Sequence, residues 1–486
     1  MHGAFRFYPK ELSQLLLMRR RFMAGNKHKT SKKPAKVFGS GAGFGTAFIK
    51  GNIITKLSAV VFGLGNILHK QITRGLLLLS LEIAYILYMV SFGAKAIRDL
   101  LTLGTREQEE VFNETKQIYE YVVGDNSMLC LLYGVITFFI TFLLIFILMS
   151  SVKSAYNAQI RKEQGKPLPN FLEDLKSLKH QNLHKMLLLF PITGIICFTI
   201  IPLAFMILIA FTNYDKNHQP PGNLFDWVGL DNFVAMFKWG GVLAKTFWPV
   251  LSWTIIWAIF STFTCFILGM LLALVINRKD TRFKSFWRFI FVLSIAVPQF
   301  VSLLTMSTIF NTNGPVNSIL KSMGLIETSI PFLTDPTLAK ITIICVNIWI
   351  GVPYTMLSTT GILNNIPKDL YEAAKVDGAN SVITFFKITL PYMLFVMTPS
   401  LITVFVGNIN NFNVIFLLTG GGPESLEYYS AGKTDLLVTW LYKLTLTNKD
   451  YNIGAVIGII VFMILATLSL LTYRRTGSYK DEEAFQ

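Results

Sequence analysis

At 486 residues, 52% hydrophobic and only 15% charged, the chain is too apolar for an ordinary soluble protein. Its formal net charge of +16 invites a nucleic-acid reading, but the basic residues are sorted by side of a membrane, so no nucleic-acid partner is expected. The cysteines (Cys130, Cys197, Cys265 and Cys345) each stand alone in an apolar run, which excludes a disulfide framework and a zinc site.

Residues 1–75 form a basic leader with 14 Lys and Arg. Leu15 to Met18 is too short for the apolar core of a signal peptide, and Arg19-Arg20-Arg21 follows it instead of preceding it, so no cleavable signal is expected. Gly39 to Gly45 reads as a turn region. The stretch IITKLSAVVFGLGNILHK (53–70) predicts an interfacial amphipathic helix, weakened by Gly63 and Gly65.

Crossing a bilayer takes about 20 mostly apolar residues. Eight such runs follow, near 76–93, 128–151, 186–211, 247–276, 286–310, 339–363, 388–418 and 452–473; they are spans 1 to 8 below. The stretches 1–75, 152–185, 277–288, 364–387 and 474–486 hold 32 of the 44 Lys and Arg, which places them in the cytoplasm and both termini inside. Anionic lipid is the partner this basic balance implies. The fold class is an all-α polytopic membrane protein. Residues 76–185 give two peripheral spans, 186–475 a core of six, and 476–486 a cytoplasmic tail.

Span 1 holds Glu82, the one acidic residue inside a span. An intramembrane carboxylate is by default a proton-site or ion-site candidate. Glu82 lies about two turns from the inner end, where a structural role is favoured. Before span 3, His180 and His184 stand four apart and suggest a metal pair; with no other ligand in sight, a solvated juxtamembrane helix is the better reading. Polar stripes mark spans 5 to 7. Ser294, Pro298, Ser302 and Thr305 share one helical face of span 5, and Asn347, Gly351, Tyr354 and Ser358 share one in span 6. In span 7, Asn408 and Asn411 predict one face, Asn410 and Asn413 another. Amides facing lipid are costly, so these faces point into the bundle, as interhelical hydrogen bonds or as a path for a neutral polar solute. Both readings stay open on the residues alone. After span 7, AGKT (431–434) imitates the end of a phosphate loop, but Glu427 stands where its first glycine is required.

Between spans 6 and 7, EAAKVDGANSVITFFKITLP (372–391) predicts a helix entered through Pro367 and Asp369, a turn at Asp377-Gly378, and a second helix from Ser381. With no catalytic group, such a loop is a rigid knob for a partner's groove. It resembles the EAA loop of the membrane subunits of binding-protein-dependent ABC importers, matching at Glu372, Ala373, Ala374, Asp377, Gly378, Ala379, Phe386 and Ile388 to Pro391. NIWIGVPYTMLSTTGILNNIPKDLYEA, NINNFNVIFLLTGGGP and AGKTDLLVTWLYKL are similar to the MalF-like permeases of maltose and maltodextrin importers.

The resemblance covers about residues 186–475 and implies a type I importer permease fold in a bacterial cell membrane. It implies four kinds of partner: a second, MalG-like permease, an ATPase dimer that uses ATP and Mg²⁺, an extracytoplasmic sugar-binding protein, and an oligosaccharide. This chain itself would be non-catalytic and hold no cofactor or metal. Loop 367–391 would be the coupling element. The family's sugar-facing places fall on Ile295, Ile350, Gly351, Tyr354, Val404, Gly407, Asn408 and Asn411. Ile295 stands where a tyrosine is familiar, Gly407 where a phenylalanine is, and Val404 where a serine is, which leaves the sugar and its length open. The outer loop 212–245 is short where Gram-negative relatives carry a large domain, which fits a Gram-positive cell. A stand-alone secondary transporter coupled through Glu82, and a membrane enzyme, are the competing classes; neither deep ionisable groups nor a catalytic constellation supports them.

Overall fold

The computed structural model describes residues 43–180, 182–278 and 280–474. Most of the basic leader, the start of the Gly39 to Gly45 stretch, and the tail after Arg474 lie outside them. Seven long apolar helices match the predicted spans: Ile72–Thr102, Ser127–Glu163, Leu183–Ile209, Val242–Asn277, Pro336–Asn365, Ser381–Thr419 and Tyr451–Arg474. The fifth span is a pair of helices, Lys284–Ala296 and Gln299–Ile309, bent by 88°. Counting that pair as one span gives the eight read from the sequence. An antiparallel hairpin, Glu109–Asn113 with Ile118–Val122, is added in the outer loop between spans 1 and 2.

The chain forms two compact units. The first joins the segment up to Lys95 with Thr137–Gly194. Within it, short helices Phe44–Lys50, Ile53–Leu57 and Leu64–Leu68 precede span 1. The single helix expected over 53–70 is therefore divided. Gly63 at φ +74° turns the chain between its two pieces, a conformation open to a residue without Cβ. Glu82 accepts a hydrogen bond from the Phe62 N–H at 2.7 Å, so its carboxylate satisfies a backbone donor of that turn. His180 ends helix Phe171–Lys179, while His184 belongs to helix Leu183–Ile195. The juxtamembrane stretch is thus two helices instead of one, with the two histidines on different helices.

The second unit joins Ala96–Ile136 with the chain from Ile195. Span 4 is its axis. Trp253, Trp257, Ser261, Cys265 and Gly269 recur at intervals of four and form a buried stripe against spans 6 and 7. Large side chains fill the outer half, where Trp253, Trp257, Leu303, Ile343, Val414 and Ile415 form one cluster. Phe266, Met270, Met393 and Met397 fill the inner half. On the outer side, Asp435 accepts from the Gly432 N–H at 2.7 Å and pairs with Lys443 at 2.6 Å. Lys433 of the AGKT stretch rests 3.9 Å over the Tyr428 ring.

Candidate functional site

The bend in span 5 corrects the single polar stripe expected there. Proline lacks an N–H and pushes its predecessor out of the helical region. Val297 accordingly sits at φ −77°, ψ 127° and Pro298 at φ −54°, ψ 130°. Ser294 and Ser302 thus belong to two differently directed helices. The broken backbone is exposed on this chain, with Ile295 and Val297 both open. Lipid cannot satisfy the carbonyls freed by such a break, so it must face another protein or water. The sequence held this signal in Pro298, but the 4, 4, 3 spacing masked it.

Span 7 carries a second interruption. Its helix ends at Ile409, and the Asn411 side chain accepts from the Val414 N–H at 3.2 Å to start helix Phe412–Thr419. The four asparagines therefore sit around a break, and the two continuous helix faces expected for them are not formed. Asn408 and Asn411 are nonetheless brought together, the Asn411 amide reaching Asn408 Oδ1 at 3.4 Å. Asn408 donates to Thr262 Oγ1 at 3.0 Å, and its carbonyl accepts from Trp257 Nε1 at 3.0 Å. Both partners lie on span 4, whose stripe the sequence reading missed: Trp, Ser, Thr and Cys give little contrast inside an apolar run.

Span 6 splits by depth. Asn347 is buried, donating to Ser261 Oγ at 2.7 Å, so it bonds helix to helix. Gly351 permits close approach, since a Cβ there would lie 2.7 Å from Cys265 Sγ. Ile350 packs against the outer cluster. One turn on, Tyr354 is 63% exposed. Val404 and Gly407 on span 7 are exposed as well, and a Cβ on Gly407 would meet nothing within 4 Å. The predicted sugar-facing residues thus form two sets. Gly351, Ile350, Asn408 and Asn411 are held by packing, while Ile295, Tyr354, Val404 and Gly407 are open. Every one of them is uncharged.

The loop is built as its sequence predicts. Helix Lys368–Val376 is closed by the Ala379 N–H bonding Ala374 O at 2.9 Å, with Gly378 at φ +74°. Asn380 caps the next helix by accepting from the Ile383 N–H at 2.8 Å. Tyr371 and Thr389 hydroxyls meet at 3.1 Å and tie the two together. Ala374 is the buried contact, while Glu372, Ala373, Asp377 and Gly378 are exposed and Ala379 is half-buried. Val376 is 87% exposed, and Leu370, Val382 and Phe386 are exposed too. Apolar side chains on a polar loop are a surface awaiting cover. From Ser381 the chain runs into span 7, about 40 Å of helix before Asn408 at 1.5 Å per residue.

Residues 265–475 match the family model of the binding-protein-dependent transport system inner membrane component. The maltodextrin transport system permease protein MalC of Streptococcus pneumoniae is 35% identical over 438 residues, covering 88% of this chain and 96% of that protein. The galactooligosaccharides transport system permease protein GanP of Bacillus subtilis is 34% identical, covering 88% and 99%. MalF of Vibrio vulnificus, a maltose/maltodextrin permease, is 35% identical over 54% of this chain and 51% of its own. Among solved structures, a bacterial ABC transporter involved in importing the acidic polysaccharide alginate matches at TM-score 0.50 and 25% identity, covering 62% of this chain and 96% of that one.

Proposed function

Because this chain belongs to the membrane components of binding-protein-dependent ABC importers, we propose that it forms half of a pathway for neutral oligosaccharides, maltodextrins foremost. The exposed, closed loop helix Lys368–Val376 carries this reading, since it offers a partner a rigid surface and is tied by the Tyr371–Thr389 hydroxyl pair to the helix that runs from Ser381 into span 7. On this reading the chain is non-catalytic. A paired ATPase hydrolyses ATP with Mg²⁺, a MalG-like second permease covers the open residues Ile295, Tyr354, Val404 and Gly407, and an extracytoplasmic protein delivers the sugar.

Uncharged contacts support a neutral solute: amides bond sugar hydroxyls, and Tyr354 offers a ring to an apolar sugar face. Relatives from Streptococcus pneumoniae and Bacillus subtilis support a Gram-positive cell membrane. The likeness to GanP keeps a galacto-oligosaccharide as the second reading. Uptake by proteoliposomes holding both permeases, the ATPase and the extracytoplasmic binding protein separates them. ATP-dependent uptake of a labelled maltodextrin, not displaced by excess galacto-oligosaccharide, is expected. Displacement favours the second reading, and ATP-independent uptake defeats both.

A further inference from the structure

The segment before span 1 is built inside out. Up to Phe62 its buried positions are Ala47, Gly51, Thr55, Ser58 and Phe62, four of the five small or polar, and the buried Gly63, Gly65, Asn66, His69 and Gln71 continue that side across the breaks between the short helices. Ile49, Ile53, Leu57 and Val60, at intervals of 4, 4 and 3, are exposed, Ile53 at 77% and Val60 at 71%. A helix on a soluble protein does the reverse, hiding its large aliphatic stripe and wetting its small and polar one.

The buried stripe is satisfied by the inner end of span 2. Thr55 Oγ1 donates to Gln159 Oε1 at 2.8 Å, and the Asn52 N–H reaches the same oxygen at 3.0 Å. Ser151 accepts from the Gly63 N–H at 2.8 Å and donates to Ser58 O at 3.0 Å. The polar side of the segment is thus fixed inward, and no rotation returns it to water. The aliphatic side continues through Leu68 to Ile72, Leu76 and Leu77, the exposed face of span 1. Residues 43–81 also contain Lys50, Lys56, Lys70 and Arg74 and no Asp or Glu.

We propose that residues 44–68 lie in the plane of the cytoplasmic leaflet, with the aliphatic stripe among acyl chains and Lys50 and Lys56 at anionic headgroups. The occupant of this surface is lipid: the stripe is continuous with a face that must already meet acyl chains, and its charge has one sign. The segment is then an anchor that fixes where the basic leader enters the membrane, independent of which sugar the transporter carries.

The test places the full complex in nanodiscs, with Cys130, Cys197, Cys265 and Cys345 replaced by Ala and one nitroxide at Ile53→Cys, Val60→Cys or Lys56→Cys. Leu76→Cys on span 1 is the lipid reference. Labels at 53 and 60 are expected to collide with oxygen far more than with a water-soluble nickel chelate, as at 76, while the label at 56 meets the chelate. Phosphatidylglycerol added to phosphatidylcholine discs should deepen the label at 53, and Lys50→Gln with Lys56→Gln should remove that gain. Chelate access at 53 and 60 equal to that at 56 overturns the membrane placement, as does shielding from both reagents, which would mean a protein cover. Depth indifferent to phosphatidylglycerol overturns the headgroup role.

Discussion

Replacing Asn408 with Leu separates a pathway residue from an interhelical bond. The structure gives the side chain one good bond, to Thr262 at 3.0 Å, and one long one, from Asn411 at 3.4 Å. The Trp257 bond is to the Asn408 carbonyl and survives the change. Interhelical side-chain bonds in membranes contribute about 0.6 kcal/mol on average and at most about 1.7. Losing one and a fraction costs roughly 1 kcal/mol, about fivefold in a folding equilibrium. Such a loss lowers thermal stability slightly and leaves transport per assembled complex unchanged. If Asn408 also bonds a sugar hydroxyl in transit, leucine leaves that hydroxyl unpaired, at about 1–3 kcal/mol. Uptake then falls about fivefold to a hundredfold with assembly intact. The assay is initial maltodextrin uptake in proteoliposomes, divided by complex retained on affinity purification. Native uptake per complex would refute the pathway role and leave Asn408 as a bond between spans 4 and 7.

Three further outcomes are expected. Glu82→Gln keeps an acceptor for the Phe62 N–H and should leave both uptake and its pH dependence near native, whereas Glu82→Leu should lower thermal stability by about 1–3 kcal/mol by orphaning that donor; a pH-insensitive but folded Glu82→Gln with lost uptake would make the carboxylate a proton site. Gly351→Ala should destabilise by about 1–3 kcal/mol through its clash with Cys265, and adding Cys265→Ala should recover most of that in a thermal melt. In the outer loop, hydrogen bonds from Arg106 and from the Thr105 backbone hold the Asp125 carboxyl down at about 2. Because its folded value lies below the unfolded one of about 3.9, the tie is fully present above pH 4 and is lost as pH falls towards 2. Pepsin cleavage within residues 103–125 should therefore rise between pH 4 and 2, and Asp125→Asn should be cleaved already at pH 4.

What could be read in advance followed physical contrast. The loop at 367–391 stood out because a polar helix and an Asp-Gly turn interrupt apolar sequence, and each behaves locally as its chemistry requires. The spans were legible because hydrocarbon thickness sets their length. Span 4's role was not, since Trp257, Ser261 and Cys265 give no break in hydropathy and matter only through Asn347, Gly351 and Asn408, which lie some 80 to 150 residues away in the chain. Pro298 and Asn411 were read as members of helical stripes, yet the residue before a proline and an amide free to cap a helix both favour a break. The inverted polarity of residues 44–68 likewise needed to be seen against span 2, because the amphipathic pattern over 53–70 does not say which of its sides is buried.

The most direct test of the central claim is ATP hydrolysis by the reconstituted complex, with and without sugar-loaded binding protein, in Gly378→Val and Glu372→Leu. Gly378 is at φ +74° with open space around it, so valine fits sterically but strains the backbone by about 1–2 kcal/mol and tilts helix Lys368–Val376. Glu372 is exposed on that helix and can accept a charge-assisted bond from a partner. The account predicts normal membrane insertion, weak retention of the ATPase and little stimulation by sugar in both variants. Full stimulation with full retention in both would contradict it, leaving the loop a connector between two spans.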